Sequence, residues 1–171
     1  TLCDLSLSSV ETDKLCSYVG TGEITAGMID KLTIKQLDTS IYSLATELTK
    51  GNRKQALLIL DDLISQKIDP IVILASLSSS YIDFYRAKAA QSSGKPASQV
   101  AEDFGYAKNR TFVVTKAMNL VSRLDMAHIR NCLDILFNAD LMLKTSAVDS
   151  RTVLEETIVK LSPEKSRRAY Y

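Results

Sequence analysis

Asn52-Arg-Lys-Gln-Ala-Leu-Leu-Ile-Leu-Asp-Asp-Leu-Ile-Ser-Gln-Lys67 places Ala56, Leu57, Leu60, Leu63 and Ile64 at i, i+1, i+4, i+7 and i+8. That is one wide apolar stripe with the period of an α-helix. Just beyond it, Asp69-Pro70 supplies an N-cap and an N1 proline. A long helix is expected from there to about Ser92, apolar at its start through Leu77 and amphipathic from Tyr81, Phe84 and Tyr85 onward. Gly94-Lys-Pro96 breaks it. The short turns at 49–55 and 66–70 imply antiparallel packing of the helices they join.

The same period extends in both directions. Upstream, Ile41, Leu44, Ala45 and Leu48 form a register that starts at Asp38 or Thr39 and stops at Gly51, a suitable C′ residue. Before it, Thr25 caps a short helix through Leu32, and residues 8–20 form a modest helix ending at Gly20. Downstream, short helices at about 97–104 and 108–122 flank a turn at Gly105. Asp125 then caps a segment of about 22 residues, about 33 Å long. A loop at 146–150 leads to a last helix, 151–161, and a frayed tail from Pro163. Strict alternation is sustained nowhere, so the fold class is all-α. Residues 1–32 carry five acids (Asp4, Glu11, Asp13, Glu23, Asp30) against Lys14 and Lys31. This shift marks Thr33 to Leu37 as a hinge, with a domain boundary that leaves 1–33 as the end of one domain and 34–171 as a helical bundle.

Composition narrows the function. The 171 residues hold 21 Lys+Arg against 20 Asp+Glu, a net charge of +1, so bulk charge gives no reason to expect nucleic acid or an anionic membrane as partner. The longest strongly apolar run, Ile71 to Leu77, is far short of the roughly 20 residues that span a bilayer. Cys3, Cys16 and Cys132 are widely spaced and read as free thiols of a reducing compartment. With His128 the only histidine, zinc is not expected. The chain opens Thr1-Leu2-Cys3-Asp4 without Met or a leader pattern, so it is expected either to have been processed or to be a piece of something longer.

Chemistry-bearing patterns are sparse. No GxxxxGK[ST] loop, HExxH pair or DxDxDG loop occurs, and Gly20 and Gly22 follow a helix rather than a strand. Asp61-Asp62, Glu102-Asp103 and Glu155-Glu156 are adjacent acids that point about 100° apart on a helix, a solvated face rather than an acid–base pair. No catalytic, cofactor or metal residue is therefore assigned. Residues 96–122 have a helix-turn-helix outline in a basic stretch, with Lys108, Arg110 and Lys116 the candidate DNA contacts. Phe112, Val113 and Val114 in its second helix favour core packing instead. Asp140 falls on the apolar stripe of Met126, Ile129, Leu133, Leu136 and Leu143. A buried carboxylate needs a partner. Lys144 is the local one and Arg151 the tertiary one, in an ion pair expected to lock the last two helices, while Arg151 and Glu155 stand at i, i+4. In the tail, Lys165, Arg167, Arg168, Tyr170 and Tyr171 read as a solvated end.

The order of segments carries a resemblance. Tyr18-Val-Gly-Thr-Gly-Glu-Ile-Thr25, the helix pair from Leu44 to Leu63 around Gly51-Asn-Arg-Lys-Gln-Ala-Leu57, Asp69-Pro-Ile-Val-Ile-Leu-Ala-Ser-Leu77, and Ala139-Asp140 with Lys144 and Asp149-x-Arg151-x-x-Leu154-Glu155 together resemble the delta subunits of bacterial DNA polymerase III. The likeness runs from the end of their middle domain through their C-terminal domain. It implies a clamp-loader AAA+ architecture, with 1–33 the end of a lid-like domain and 34–171 a helical collar. It implies assembly with other clamp-loader subunits, which together load the sliding clamp onto primed DNA in the bacterial cytoplasm. The clamp contacts would lie in an N-terminal domain outside these residues. It further implies a non-catalytic subunit without a cofactor. Under this resemblance the helix-turn-helix outline is part of the collar.

Overall fold

The fold was described from a computed structural model, in which residues 16–17, 20, 25–106, 111–122 and 124–162 are described, with side chains from Leu37 onward in the first long helix. Among these residues all regular structure is α-helical: α1 Ala26–Thr49, α2 Arg53–Ser65, α3 Pro70–Ser92, α4 Ala97–Asp103, α5 Thr111–Val121, α6 Met126–Thr145 and α7 Ser150–Leu161. Two compact units divide between Thr39 and Ser40. In the first, Cys16 and Ser17 are helical and Gly20 N–H donates to Cys16 O at 2.9 Å with φ of 65°, a helix end at the expected glycine. The start of that helix and the tail from Pro163 lie outside the described residues.

One expected break is missing. Instead of a short helix, a hinge at 33–37 and a second helix, α1 runs without interruption through Thr33-Ile-Lys-Gln-Leu37. The hinge rested on a composition shift, but the stretch contains neither glycine nor proline, and nothing local stops helix propagation.

Helix ends are set by one device used four times. At α1, Gly51 N–H reaches Leu48 O at 3.0 Å and Asn52 N–H reaches Glu47 O at 2.9 Å. The same 5→2 and 6→1 pair closes α3 at Gly94 and Lys95, and α4 at Gly105 and Tyr106. The residue after each C-cap must be left-handed, and Gly51, Gly94 and Gly105 have φ between 65° and 72°. At α2 the position is occupied by Lys67, φ 59°, with Ile68 N–H to Leu63 O closing the motif. At the other end of the turn Asp69 Oδ1 accepts from Ile71 N–H at 2.7 Å, the cap the sequence implies. Asp149 likewise caps α7, accepting from Thr152 N–H at 3.0 Å. Asp125 precedes α6 but makes no side-chain cap, contrary to expectation.

The bundle is organised around α3. Ile73, Leu74, Leu77, Tyr81, Phe84, Ala87 and Ala90 are buried on one side of it, where α6 is its most extensive neighbour and α4, α5 and α7 also pack. Each fully buried leucine, isoleucine or phenylalanine contributes about 1.5–3 kcal/mol. Polar atoms of α3 also close the end of α5: Lys88 Nζ donates to Val121 O at 3.2 Å and Gln91 Nε2 to Met118 O at 2.7 Å. The short 66–69 turn does not make α2 and α3 partners; the main partner of α2 is α7. Arg53 Nη2 donates to Ser162 O at 3.3 Å, so the start of α2 meets the end of α7.

Where α3 meets α6, the Tyr81 hydroxyl and the Cys132 thiol share a hydrogen bond, with His128 Nε2 3.6 Å from the sulfur. Burial pushes the Cys132 thiol from 9.0 up to about 11. Since the neutral thiol is favoured in the fold, its contribution is intact below pH 9 and is lost as pH rises through 11. Two outcomes follow. Lys67→Gly removes a side chain from a left-handed position and should raise stability by about 1 kcal/mol in denaturant titrations. Cys132→Ser keeps a hydrogen-bonding group without that titration and should flatten the fall in stability between pH 9 and 11, read from denaturation midpoints across pH.

Candidate functional surface

The side of α3 turned away from the bundle has an unusual composition. Ile71, Ala75, Ser79 and Ile82 succeed one another at spacings of four, four and three, which places them on one strip. All four are exposed, Ile71 at 44% and Ile82 at 41%, with Val72 beside them. From Pro70 to Ile82 the helix has no charged residue on any side. Surface helices ordinarily set a charged face against an apolar one; here the outward side carries only apolar residues and serine.

The strip ends at a cationic and aromatic cluster. The Arg86 guanidinium lies 4.7 Å from the centre of the exposed Phe104 ring and 5.7 Å from that of Tyr106. Its Nη1 donates to the Tyr106 hydroxyl at 3.1 Å and stands 3.6 Å from Asp83 Oδ1. The Tyr106 hydroxyl donates in turn to Asp83. Burial, then the bond to Asp83, raise the Tyr106 pKa. These contacts also pin the turn after α4 to α3.

The helix-turn-helix outline resolves into packing. Val100 and Ala101 of α4 meet Ala90 of α3 and Val114 of α5 in a small core, with Ala97, Tyr106 and Met118 against it. Lys108 and Arg110 lie outside the described residues. Lys116 Nζ sits 5.3 Å from the Phe112 ring and 5.8 Å from that of Tyr42. Of the apolar residues expected to anchor this helix, Val114 is buried but Phe112 is 56% exposed.

Of the ion-pair candidates, Asp140 with Lys144 and Arg151 with Glu155 pair as expected, while the burial of Asp140 and its tie to Arg151 do not hold. Asp140 accepts from Lys144 Nζ at 2.7 Å, within α6, but its side chain is 37% exposed. It is not a buried carboxylate, and it does not reach Arg151. A residue on an apolar stripe is covered only as far as the neighbouring helix extends, and here the edge of the stripe is open to water. Arg151 instead bridges two acids, Glu155 Oε1 at 2.7 Å on its own helix and Asp61 Oδ1 at 2.6 Å on α2. The bond to Glu155, then Asp61, push the Arg151 pKa upward. Asp61 reads in sequence only as one of two adjacent acids; its partner is 90 residues away, beyond any local pattern. Between α2 and α7 lies a shallow groove of about 460 Å³ lined by Leu57, Asp61, Thr152, Glu155, Glu156 and Val159.

Among the described residues no group of three His, Cys, Asp or Glu side chains could hold a metal, and no helix is long and apolar enough to cross a membrane. The profile of the DNA polymerase III delta subunit, C-terminal domain, matches residues 38–161. The chain belongs to that family. The DNA polymerase III subunit delta of Bacillus subtilis (strain 168) is 28% identical over 158 residues, covering 91% of this chain and 45% of that protein. The structure of the Bacillus subtilis DNA clamp loader delta protein superposes with a TM-score of 0.71 at 26% identity, covering 88% of this chain and 44% of that one. The chain therefore spans somewhat under half the length of these delta relatives, and the matched span contains α2 to α7 and the outward strip of α3.

Position on α6 should separate core from surface in this delta-family domain. Asp140→Ala should alter stability by no more than about 0.5 kcal/mol, as exposed i,i+4 pairs do. Leu136→Ala, one turn earlier and buried, should cost about 2–5 kcal/mol in the same denaturation assay. A double-mutant cycle on Asp61 and Arg151 should show a coupling that disappears in molar salt.

Proposed function

We propose that this chain is the C-terminal part of a clamp-loader delta subunit and that it works by assembly rather than catalysis. In this reading residues 34–171 form a collar domain that packs against other clamp-loader subunits, and residues 1–33 are the end of an AAA+ lid-like domain. The sliding clamp would be engaged by a preceding domain and primed DNA by the whole complex, in the bacterial cytoplasm. The parent protein is then a non-catalytic subunit of the polymerase holoenzyme, with no cofactor assigned to these residues.

The observation that supports assembly is the first half of α3. Its inward side is already filled by the bundle, yet its outward side is as free of charge as the core. Exposed apolar strips of this kind mark interaction sites. The family membership supplies the kind of complex to which such a surface would belong. Sequence reading of the helix-turn-helix as a DNA reader is not favoured, because α4 and α5 bury their facing side chains in a common core.

The reading is tested by mixing the purified chain with the remaining clamp-loader subunits and following sedimentation velocity. Co-sedimentation of the chain with those subunits is the expected outcome. A chain that sediments alone at micromolar concentrations of every partner would overturn it.

A further inference from the structure

We infer that the outward strip of α3 receives a helix of a neighbouring subunit whose own contact stripe is uncharged along the strip and presents a carboxylate where it meets Arg86. The inference rests on the assembly reading above and adds to it the face, the partner's chemistry and its register.

Three features define the occupant. Ile71 to Ile82 is 12 residues, about 16 Å along the axis, the length of three helical turns. A charged side chain laid on this strip would lose water and find no counter-charge between Asp69 and Asp83, so a charged partner stripe is penalised. In the middle of the strip stand Ala75 and Ser79, flanked by Ile71 and Ile82. Small residues between larger ones form a shallow depression into which a ridge of a second helix fits at the close end of the 8–10 Å interaxial range.

The polar end fixes direction. Arg86 lies half-buried on the same side of α3 as Ile82, four residues later, and about a third of its side chain meets solvent. Its guanidinium is held between the Phe104 and Tyr106 rings and oriented by Tyr106 and Asp83. Asp83 is shared with the Tyr106 hydroxyl, so the rim of the strip ends on a pre-oriented cation. Arginine with aromatic side chains, bordering an uncharged centre, is the composition in which interface hot spots are enriched. A carboxylate is the complementary group, and its position at one end of the partner stripe sets which way the partner runs.

The test uses the chain with the remaining clamp-loader subunits and the variants Ala75→Arg, Ile82→Asp and Arg86→Glu, each first matched to the wild type in thermal melting. Asn138→Asp, on an exposed polar part of α6, serves as a surface control. Ala75→Arg and Ile82→Asp should each weaken incorporation about 100-fold, the scale of a central hot spot. Asn138→Asp should not. Arg86→Glu should weaken incorporation at low salt, with the deficit recovered when one partner carboxylate is changed to lysine. If the wild type fails to assemble, the clamp-loader reading falls. If the wild type assembles and Ala75→Arg and Ile82→Asp assemble equally well, that reading stands and the α3 strip is not the interface. Loss of assembly in those two variants with Arg86→Glu unaffected overturns the assignment of the carboxylate.

Discussion

A single helix has to serve as the spine of this bundle, and the first half of its sequence gives it no charged side. The inward half of α3 collects α4, α5, α6 and α7, and its lysine and glutamine side chains close the carbonyl end of α5. The packing of α4 to α7 is therefore referred largely to one axis. The starting point of that axis is fixed by Asp69 and Pro70, which cap the helix and prevent it from extending backward into α2. With start and direction set, the apolar residues from Ile71 to Leu77 must divide between two sides. The bundle covers one side only. Hydrophobic free energy scales with the area removed from water, so the uncovered side is driving force left unused by folding and available to association.

Around the spine, specificity comes from groups that contribute little stability. The α2–α7 contact is aligned by Arg53 to the Ser162 carbonyl and by Asp61 to Arg151. The exposed Asp61–Arg151 pair is screened and entropically costly to order, yet together with the Arg53 hydrogen bond it fixes which turns of α2 and α7 face each other. The groove between them is shallow and its acids already have cationic partners: Arg151 for Asp61 and Glu155, Lys160 for Glu156. The α3 strip differs in kind, because it offers area without charge.

Much of the architecture was legible locally. The stripe from Ala56 to Ile64, the Asp69-Pro70 start and the glycines at 51, 94 and 105 each encode a helix or its end through side-chain spacing or backbone freedom. Two of the departures share a cause. Residue spacing tells which residues share a stripe, but not how far the covering neighbour reaches, so Asp140 and Phe112 read as interior and stand in water. Composition suggested a hinge at 33–37, where the backbone had no reason to break. Lys67 shows the converse, a left-handed position that sequence does not announce because the residue is not glycine. Asp61 and Arg151 lie 90 residues apart, and no local pattern joins them. The candidate surface was half visible: the apolar run at 71–77 was plain, but which of its residues face outward depends on where α6 packs.

The near balance of charge, +1 over the whole chain, gains meaning from that surface. Long-range attraction is weak when net charge is small, so recognition must come from contact at short range. An uncharged strip does this by exclusion: it penalises any partner that would bury a charge against it, and it tolerates only a helix of matching neutrality. Exclusion alone leaves the partner free to lie in either direction. A single oriented arginine at one end removes that freedom, because only one direction brings a carboxylate to it. The same Arg86 also pins the α4 turn to the spine through Tyr106 and Phe104. Its orientation at the rim is thus secured by the fold before any partner arrives, and the entropy of ordering that side chain is met in folding rather than in association.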